Sequence, residues 1–424
     1  MSKKKSNKLP KRFVVCIILF SLAGEIAWAV ENQYYNVFMY NVIAPVPFYI
    51  SIMVALSTIV GTVAAIIMGS YSDVKGKRKP ILLYGFIFWA ITTVMFPFAA
   101  FLRPVLVAVA IAILFDCVMT FFGSTAYNAG FNAYVTDDTK IENRGKATGI
   151  SQITFLLAIL IVYGASGFLI TWFGYFIFFY IIGGLVAVLG VLGGILMDEP
   201  EGLQPLNVST YVHLKKSFSR EQTQIDRNFF WVLIVIAVWN IGLYVYFPYL
   251  LIYLQHYIGL SITLASILVF IALAISIVLA YPIGMFTDKL GRKNIAIIST
   301  IAYAIAVILF AFTSNLVLLV VFGVFWVVCM TALRITTWTW AKDLYPTENR
   351  GQFSGFMNAF SGTIPMLIGP FIGAWIATVY GTSISIGGVA GNVPPPLIFI
   401  VGGLIILLTL IPIYFAKEHG NEEK

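Results

Sequence analysis

Four charged side chains stand inside long apolar runs: Glu25, Glu31, Asp116 and Arg334. A charge in hydrocarbon is costly, so such a group faces a wet cavity, finds a partner or gives up its charge. In a chain that is only 10% charged, three carboxyls and one guanidinium at these places read as a site. The chemistry open to them is proton carriage, because a carboxyl that passes between wet and dry surroundings binds and releases a proton as it does so. Glu25 and Asp116 are the candidates for that role. Glu31 lies nearer one membrane face, where water reaches it. Arg334 can neutralise an acid or hold an anionic group of a ligand.

Polar and aromatic residues gather at similar depths. Glu25 is about 13 residues into its run, near mid-membrane at about 1.5 Å per residue. Trp28 and Asn32 follow at spacings of three and seven, on the same helix face. Asn240, beside Trp239, lies 215 positions after Glu25, and Tyr244 follows one turn on. Asn128 and Asn132 share a run with Asp116, and Arg334 and Trp338 follow them 206 positions later. Amides and carboxyls supply directed hydrogen bonds, and indole and phenol rings supply flat apolar faces; a sugar needs both. The substrate-binding candidates are Glu25, Trp28, Asn32, Asn128, Trp239, Asn240, Tyr244, Arg334 and Trp338. The same amides can also join helix to helix, and the same rings can sit in an interfacial belt.

These residues are carried by elements that can only be membrane spans. The chain has 424 residues, 60% of them hydrophobic, too many to hide in one water-soluble core. Runs of about 20 apolar residues match a bilayer core of roughly 30 Å. They lack strand-like alternation, so they are helices that satisfy their own backbone hydrogen bonds. Twelve are expected, near 13–40, 47–72, 80–101, 104–135, 147–172, 174–196, 229–257, 262–286, 294–313, 315–341, 352–380 and 395–416.

Charge placement gives the orientation and removes one class of function. The net charge of +8 would suit a nucleic-acid binder. Every Lys and Arg but Arg103 and Arg334, however, falls in segments on one side, if the N-terminus is cytoplasmic. That is the positive-inside asymmetry, and it puts both termini in the cytoplasm and leaves no nucleic-acid surface. Residues 197–228 read as a cytoplasmic linker, whose second half (211–227) forms either a surface helix on anionic lipid or a solvated strand of chain. On the other side, 381–396, with Gly381, Gly387, Gly388, Gly391 and Pro394 to Pro396, reads as an outer loop. Cys16, Cys117 and Cys329 fall one to a span, with neither disulfide nor metal-ligand spacing.

The chain also says one thing twice. Gly69, Asp73, Gly76, Lys77 and Arg78 return as Gly284, Asp288, Gly291, Arg292 and Lys293, 215 positions on; Asp137 with Arg144 and Gly145 returns as Asp343 with Arg350 and Gly351, 206 positions on. A carboxylate at a helix end can take backbone N–H groups and pair with a nearby Arg. Gly76 and Gly291 suit turns costly to other residues.

On the pattern G-x-x-x-D-x-x-G-basic-basic, present twice between apolar runs, the chain resembles the major facilitator superfamily over nearly its whole length. Gly24-Glu25-Ile26-Ala27-Trp28 through Asn32, with the loops at Asp137 to Gly145 and Asp343 to Gly351, is similar to the glycoside-pentoside-hexuronide and sucrose-transporter-like branches. The resemblance implies an all-α membrane protein of twelve transmembrane helices in two pseudo-symmetric six-helix bundles, 1–196 and 229–424. It implies a gating latch that is released as the halves rock, made of Asp73, Gly76, Arg78, Arg144, Asp288, Gly291, Arg292 and Arg350. Melibiose-type members carry paired aspartates in helix 2, whereas no acid lies between Pro47 and Ser72 here, which favours H⁺ over Na⁺.

The expected protein is a monomeric secondary transporter without cofactor or metal, importing a sugar or glycoside with a cation. Two rivals share the fold: a proton-coupled exporter of drugs or lipophilic metabolites, and an organic-anion carrier that uses Arg334. No Walker A pattern indicates ATP drive, and no soluble catalytic domain indicates an enzyme.

Overall fold

A computed structural model of the chain describes residues 9–139, 143–200, 203–206, 208–212, 227–344 and 355–417, with the side chain of Asp288 outside the description. Among these, eleven helical stretches are long and apolar enough to cross a membrane. One of them, Arg144–Leu196, has 53 residues and leaves helical geometry at Gly174 (φ 78°, ψ 170°). At about 1.5 Å per residue it would measure about 80 Å, far more than a bilayer core. It is therefore two crossings, and the total is the expected twelve.

In chain order the crossings are α1 Lys11–Ile43, α2 Pro47–Lys75, α3 Lys79–Phe101, α4 Val105–Asp137, α5 (144–173), α6 (175–196), α7 Arg227–His256, α8 Ile262–Thr287, α9 Arg292–Ala311, α10 Leu316–Asp343, α11 Gly355–Tyr380 and α12 Leu397–Phe415. The sequence caps some of them plainly. Ser261 Oγ accepts from Leu264 N, and Asn315 Oδ1 accepts from Val317 N and Leu318 N, satisfying donors that helix starts leave open. Large apolar side chains stay exposed on many crossings, among them Ile59, Leu106, Leu114, Ile153, Val278 and Val321, a surface suited to acyl chains rather than water.

Among the described residues, three crossings carry π-helical turns. α1 turns π-helical at Glu31–Tyr35 and Met39–Ile43, α4 at Ser124–Phe131 and α11 at Ala359–Thr363. Such bulges are often found at functional sites, and these fall among the polar residues of α1 and α4.

One departure from an all-helical chain lies where a loop was expected. Thr382–Ile386 (β1) and Val389–Val393 (β2) pair antiparallel, with Gly387 and Gly388 at positive φ in the turn. The alternation Ile384, Ile386 before Gly-Gly is a hairpin signal hidden by the glycine content.

The chain divides into two compact units. The first is Met1–Tyr34, Leu56–Ala165 and Trp172–Ser219; the second is Tyr35–Ala55, Ser166–Thr171 and Arg220–Lys424. The expected surface helix at 211–227 lies mostly outside the described residues.

Candidate functional site

The first unit brings two carboxyl groups together. Glu31, in the first π-turn of α1, accepts from Thr120 Oγ1 at 2.8 Å. Asp116, on α4 and 2% exposed, has Glu31 and Ser57 of α2 as its polar neighbours. Two carboxyl groups can bond each other only if one of them carries a proton. Glu31 Oε2 and Asp116 Oδ1 are buried atoms without a hydrogen-bond partner. The arrangement gathers two carboxyls and two hydroxyls from three crossings, with Asp116 buried and Glu31 half-buried. The sequence carries only a weak signal for it: both acids lie inside expected spans, 13–40 and 104–135.

Glu25 lies six residues before Glu31 on α1 and has a different partner. Its Oε1 accepts from the Tyr127 hydroxyl at 2.7 Å. The Tyr127 ring lies so close to Gly24 that a Cβ there would overlap it, which is why a glycine precedes the acid. Tyr127 was not read from the sequence as functional; the combination of Gly24, Glu25 and an aromatic on α4 is its only trace. Leu22, Glu25, Trp28, Glu31 and Asn32 form the half-buried stripe of α1. Trp28 packs on Trp89 with centroids 4.9 Å apart, and Asn32 Nδ2 donates to Trp28 O at 2.7 Å. On α4, Asn128 and Asn132 are exposed one turn apart, and Asn128 Nδ2 donates to Ser124 Oγ at 3.1 Å.

The second unit is less polar. Trp239 and Asn240 are 2% and 6% exposed, and Asn240 Nδ2 donates back to Ile236 O at 2.7 Å. The half-open stripe of α7 runs instead through Val238, Ile241 and Tyr244. On α10, Arg334 is exposed, with its guanidinium carbon 5.8 Å from the centroid of the half-buried Trp338. Nine residues separate it from the exposed Phe325, two and a half helical turns. Arg334 is therefore on the side away from the lipid-facing stripe of Val321 and Phe325.

The basic loops form a network in each unit. In the first, Arg78 Nη2 pairs with Asp73 Oδ1 at 2.7 Å and with Asp137 Oδ2 at 2.8 Å. Its Nε also donates to Asp137, and its Nη1 donates to Ser72 Oγ at 2.6 Å. Burial works against the Arg78 charge, but the two carboxylates outweigh it and hold the group above its ordinary value. Glu199 accepts the backbone N–H groups of Arg78 and Lys79 at the start of α3, where an anion suits the helix dipole. In the second unit, Arg292 Nε donates to Asp343 Oδ2 at 3.1 Å. Gly76 and Gly291 both have positive φ, 60° and 87°, as the turn reading requires. Arg144 is exposed in the first turn of α5. Arg350 and the Asp288 side chain lie outside the described residues.

Comparison with known proteins agrees with this architecture. The family model of the Major Facilitator Superfamily matches residues 13–277 and 232–424. The tetracycline resistance protein, class H, of Pasteurella multocida is 24% identical over 207 residues, 47% of this chain and 46% of that protein. The chain spans less than half the length of the curated relatives it matches. Among solved structures, a D-xylose-proton symporter superposes with TM-score 0.72 at 16% identity, covering 96% of this chain and 98% of the other. A point mutant of the nucleoside transporter NupG gives TM-score 0.70 at 14% identity, covering 96% and 100%. Identities this low speak for the fold alone. With a family match over both halves and twelve crossings, the chain belongs to the major facilitator superfamily: it is a membrane-embedded secondary transporter and not an enzyme.

Proposed function

We propose that the protein imports a sugar or glycoside together with protons, by alternating access of the halves 1–196 and 229–424 joined by the linker 197–228. The basic loops and both termini lie on the cytoplasmic side of the cell membrane in this reading, by the positive-inside rule. The observation that carries it is the Glu31–Asp116 pair, set beside Thr120 and Ser57 with one oxygen of each carboxyl buried and unpartnered. A proton shared there would be moved by a change in wetness as the cavity switches sides.

Glu25 with Tyr127, Asn32 and Asn128 offers hydrogen-bonding groups for hydroxyls, and Trp28 and Trp338 offer flat faces for sugar C–H surfaces. Tyr244 stands on the open stripe of α7, and Arg334 beside Trp338 adds a cationic donor. The fold likeness to a D-xylose-proton symporter is compatible with this reading. The networks around Arg78 and Arg292 act as latches between helices, with Asp73, Asp288, Arg144 and Arg350 in the same loops.

A second reading has its own observation. The tetracycline resistance relative favours proton-coupled export of lipophilic compounds. Charge movement in proteoliposomes on a solid-supported membrane separates the two. Sugar jumps at two pH values, without and then with sodium, should give transients that need only protons. Silence across a panel of mono- and disaccharides from folded protein would remove the sugar reading, and transients only with sodium would remove proton coupling.

A further inference from the structure

Residues 35–55 are the far ends of α1 and α2 with the turn between them, and they belong to the second unit. α1 enters that unit through the π-turn Glu31–Tyr35, a local loosening of the regular helix. At its far end the segment is tied to β2. Asn392 N donates to Pro45 O at 3.0 Å, and the Tyr40 hydroxyl donates to Asn392 O at 2.8 Å. Asn392 lies opposite Ser383 in the hairpin, and its N–H and C=O are spent outward, on the open edge of β2. An open edge invites a strand; here a proline carbonyl and a phenol complete it.

The fit is close. A Cβ on Gly391 would overlap the Pro45 carbonyl, so this edge approaches α1 only because position 391 has no side chain. Tyr40 is fully buried, and its ring lies 5.1 Å from that of His256 at the end of α7. The next residue, Asn41, has Oδ1 2.7 Å from His256 Nε2 and donates to Gln255 Oε1 at 3.2 Å. Two consecutive residues of α1 are thus held by two different elements of the second unit.

We propose that the 382–393 hairpin is a latch on the outer side, and that the outer face opens only when the edge of β2 releases Tyr40 and Pro45. This concerns which side is shut. It stands apart from the nature of the solute and of the coupling ion, and takes from the preceding reading only the orientation.

The test uses Ser51→Cys, in a chain whose Cys16, Cys117 and Cys329 are replaced by alanine. Ser51 is fully buried within the held segment, and its Oγ donates to Phe48 O at 2.8 Å. The readout is its rate of reaction with a membrane-impermeant maleimide added from outside, with no solute present. Tyr40→Phe should raise that rate about fivefold, the shift expected for loss of one ordinary hydrogen bond. Gly391→Ala should raise it about tenfold or more, since the added methyl forces the edge off Pro45. Ser385→Ala, on an exposed position of β1, should leave it unchanged. Hydrogen exchange at Asn392 reports the edge directly and should quicken in both latch variants. Should Gly391→Ala fail to fold, Tyr40→Phe carries the test alone. Unchanged labelling with faster exchange at Asn392 would overturn the proposal, because the edge would then be free without the face opening. Unchanged exchange in Tyr40→Phe would overturn it too, since Tyr40 would not be holding the edge.

Discussion

Arg78 and Arg292 hold the same structural place in the two halves, although the repeated motif aligns Arg292 with Lys77. Each guanidinium bonds the acid that closes the fourth helix of its half, Asp137 or Asp343. The lysine after each arginine donates to carbonyls at the end of the sixth helix: Lys79 to Met197 O, Lys293 to Tyr414 O and Ala416 O. The offset between the working residues is therefore 214, one less than that of the glycines. The reason is local: α3 begins at Lys79 with Arg78 as its cap residue, whereas α9 begins at Arg292, directly after Gly291.

The two networks differ in burial, and their loss should differ in cost. The Arg78 side chain is 5% exposed and Asp137 is 25%; Arg292 and Asp343 are 21% and 43%. Asp137→Asn leaves a buried guanidinium short of a counter-charge, a loss of about 3 kcal/mol. Asp343→Asn removes a wetter pair, at about 1 kcal/mol or less. Thermal unfolding in detergent should show a clearly larger drop for Asp137→Asn, and equal drops would contradict the reading of the first network as a buried latch.

The different partner of Glu25 predicts different losses. Tyr127→Phe removes the donor to Glu25 Oε1 and should raise the half-saturation concentration about tenfold, the size expected for a hydrogen bond to a charged group. Glu25→Gln should lower exchange and accumulation together, as a binding defect does. Accumulation lost with exchange intact in Glu25→Gln would return the coupling role to Glu25.

Much of this was open to reading before any coordinates. Apolar run lengths gave twelve crossings, and the doubled loops gave the glycine turns and the pairing of Arg78 with Asp73, but not that Asp137 and Asp343 are partners of Arg78 and Arg292. Glu25, Trp28 and Asn32 do share a stripe of α1, because a helix fixes faces by spacing alone. Contacts between crossings were harder. Glu31 looks wet by its position in the run and is half-buried, and only the meeting of α1, α2 and α4 brings it beside Asp116. Asn240 matched Glu25 by offset yet turns inward, because the open stripe of α7 runs through Val238, Ile241 and Tyr244. The hairpin was hidden by reading its glycines as loop rather than as turn and close approach.

Arg334 separates the solute classes. Its guanidinium lies against Trp338 on the side away from lipid. If the solute is a neutral sugar, Arg334→Gln should change uptake by no more than about tenfold, the cost of one hydrogen bond to a charged group. A loss of several orders of magnitude, confined to solutes with a carboxylate, would mark the protein as an organic-anion carrier instead.

The most direct test of proton coupling through Glu31 and Asp116 compares two fluxes in one preparation. Proteoliposomes holding Asp116→Asn, and separately Glu31→Gln, are assayed for solute counterflow and for accumulation driven by an inward proton gradient. Counterflow should persist within about threefold, since binding is spared, and gradient-driven accumulation should fall to that of empty liposomes. Accumulation at the unsubstituted level in both variants would contradict the account.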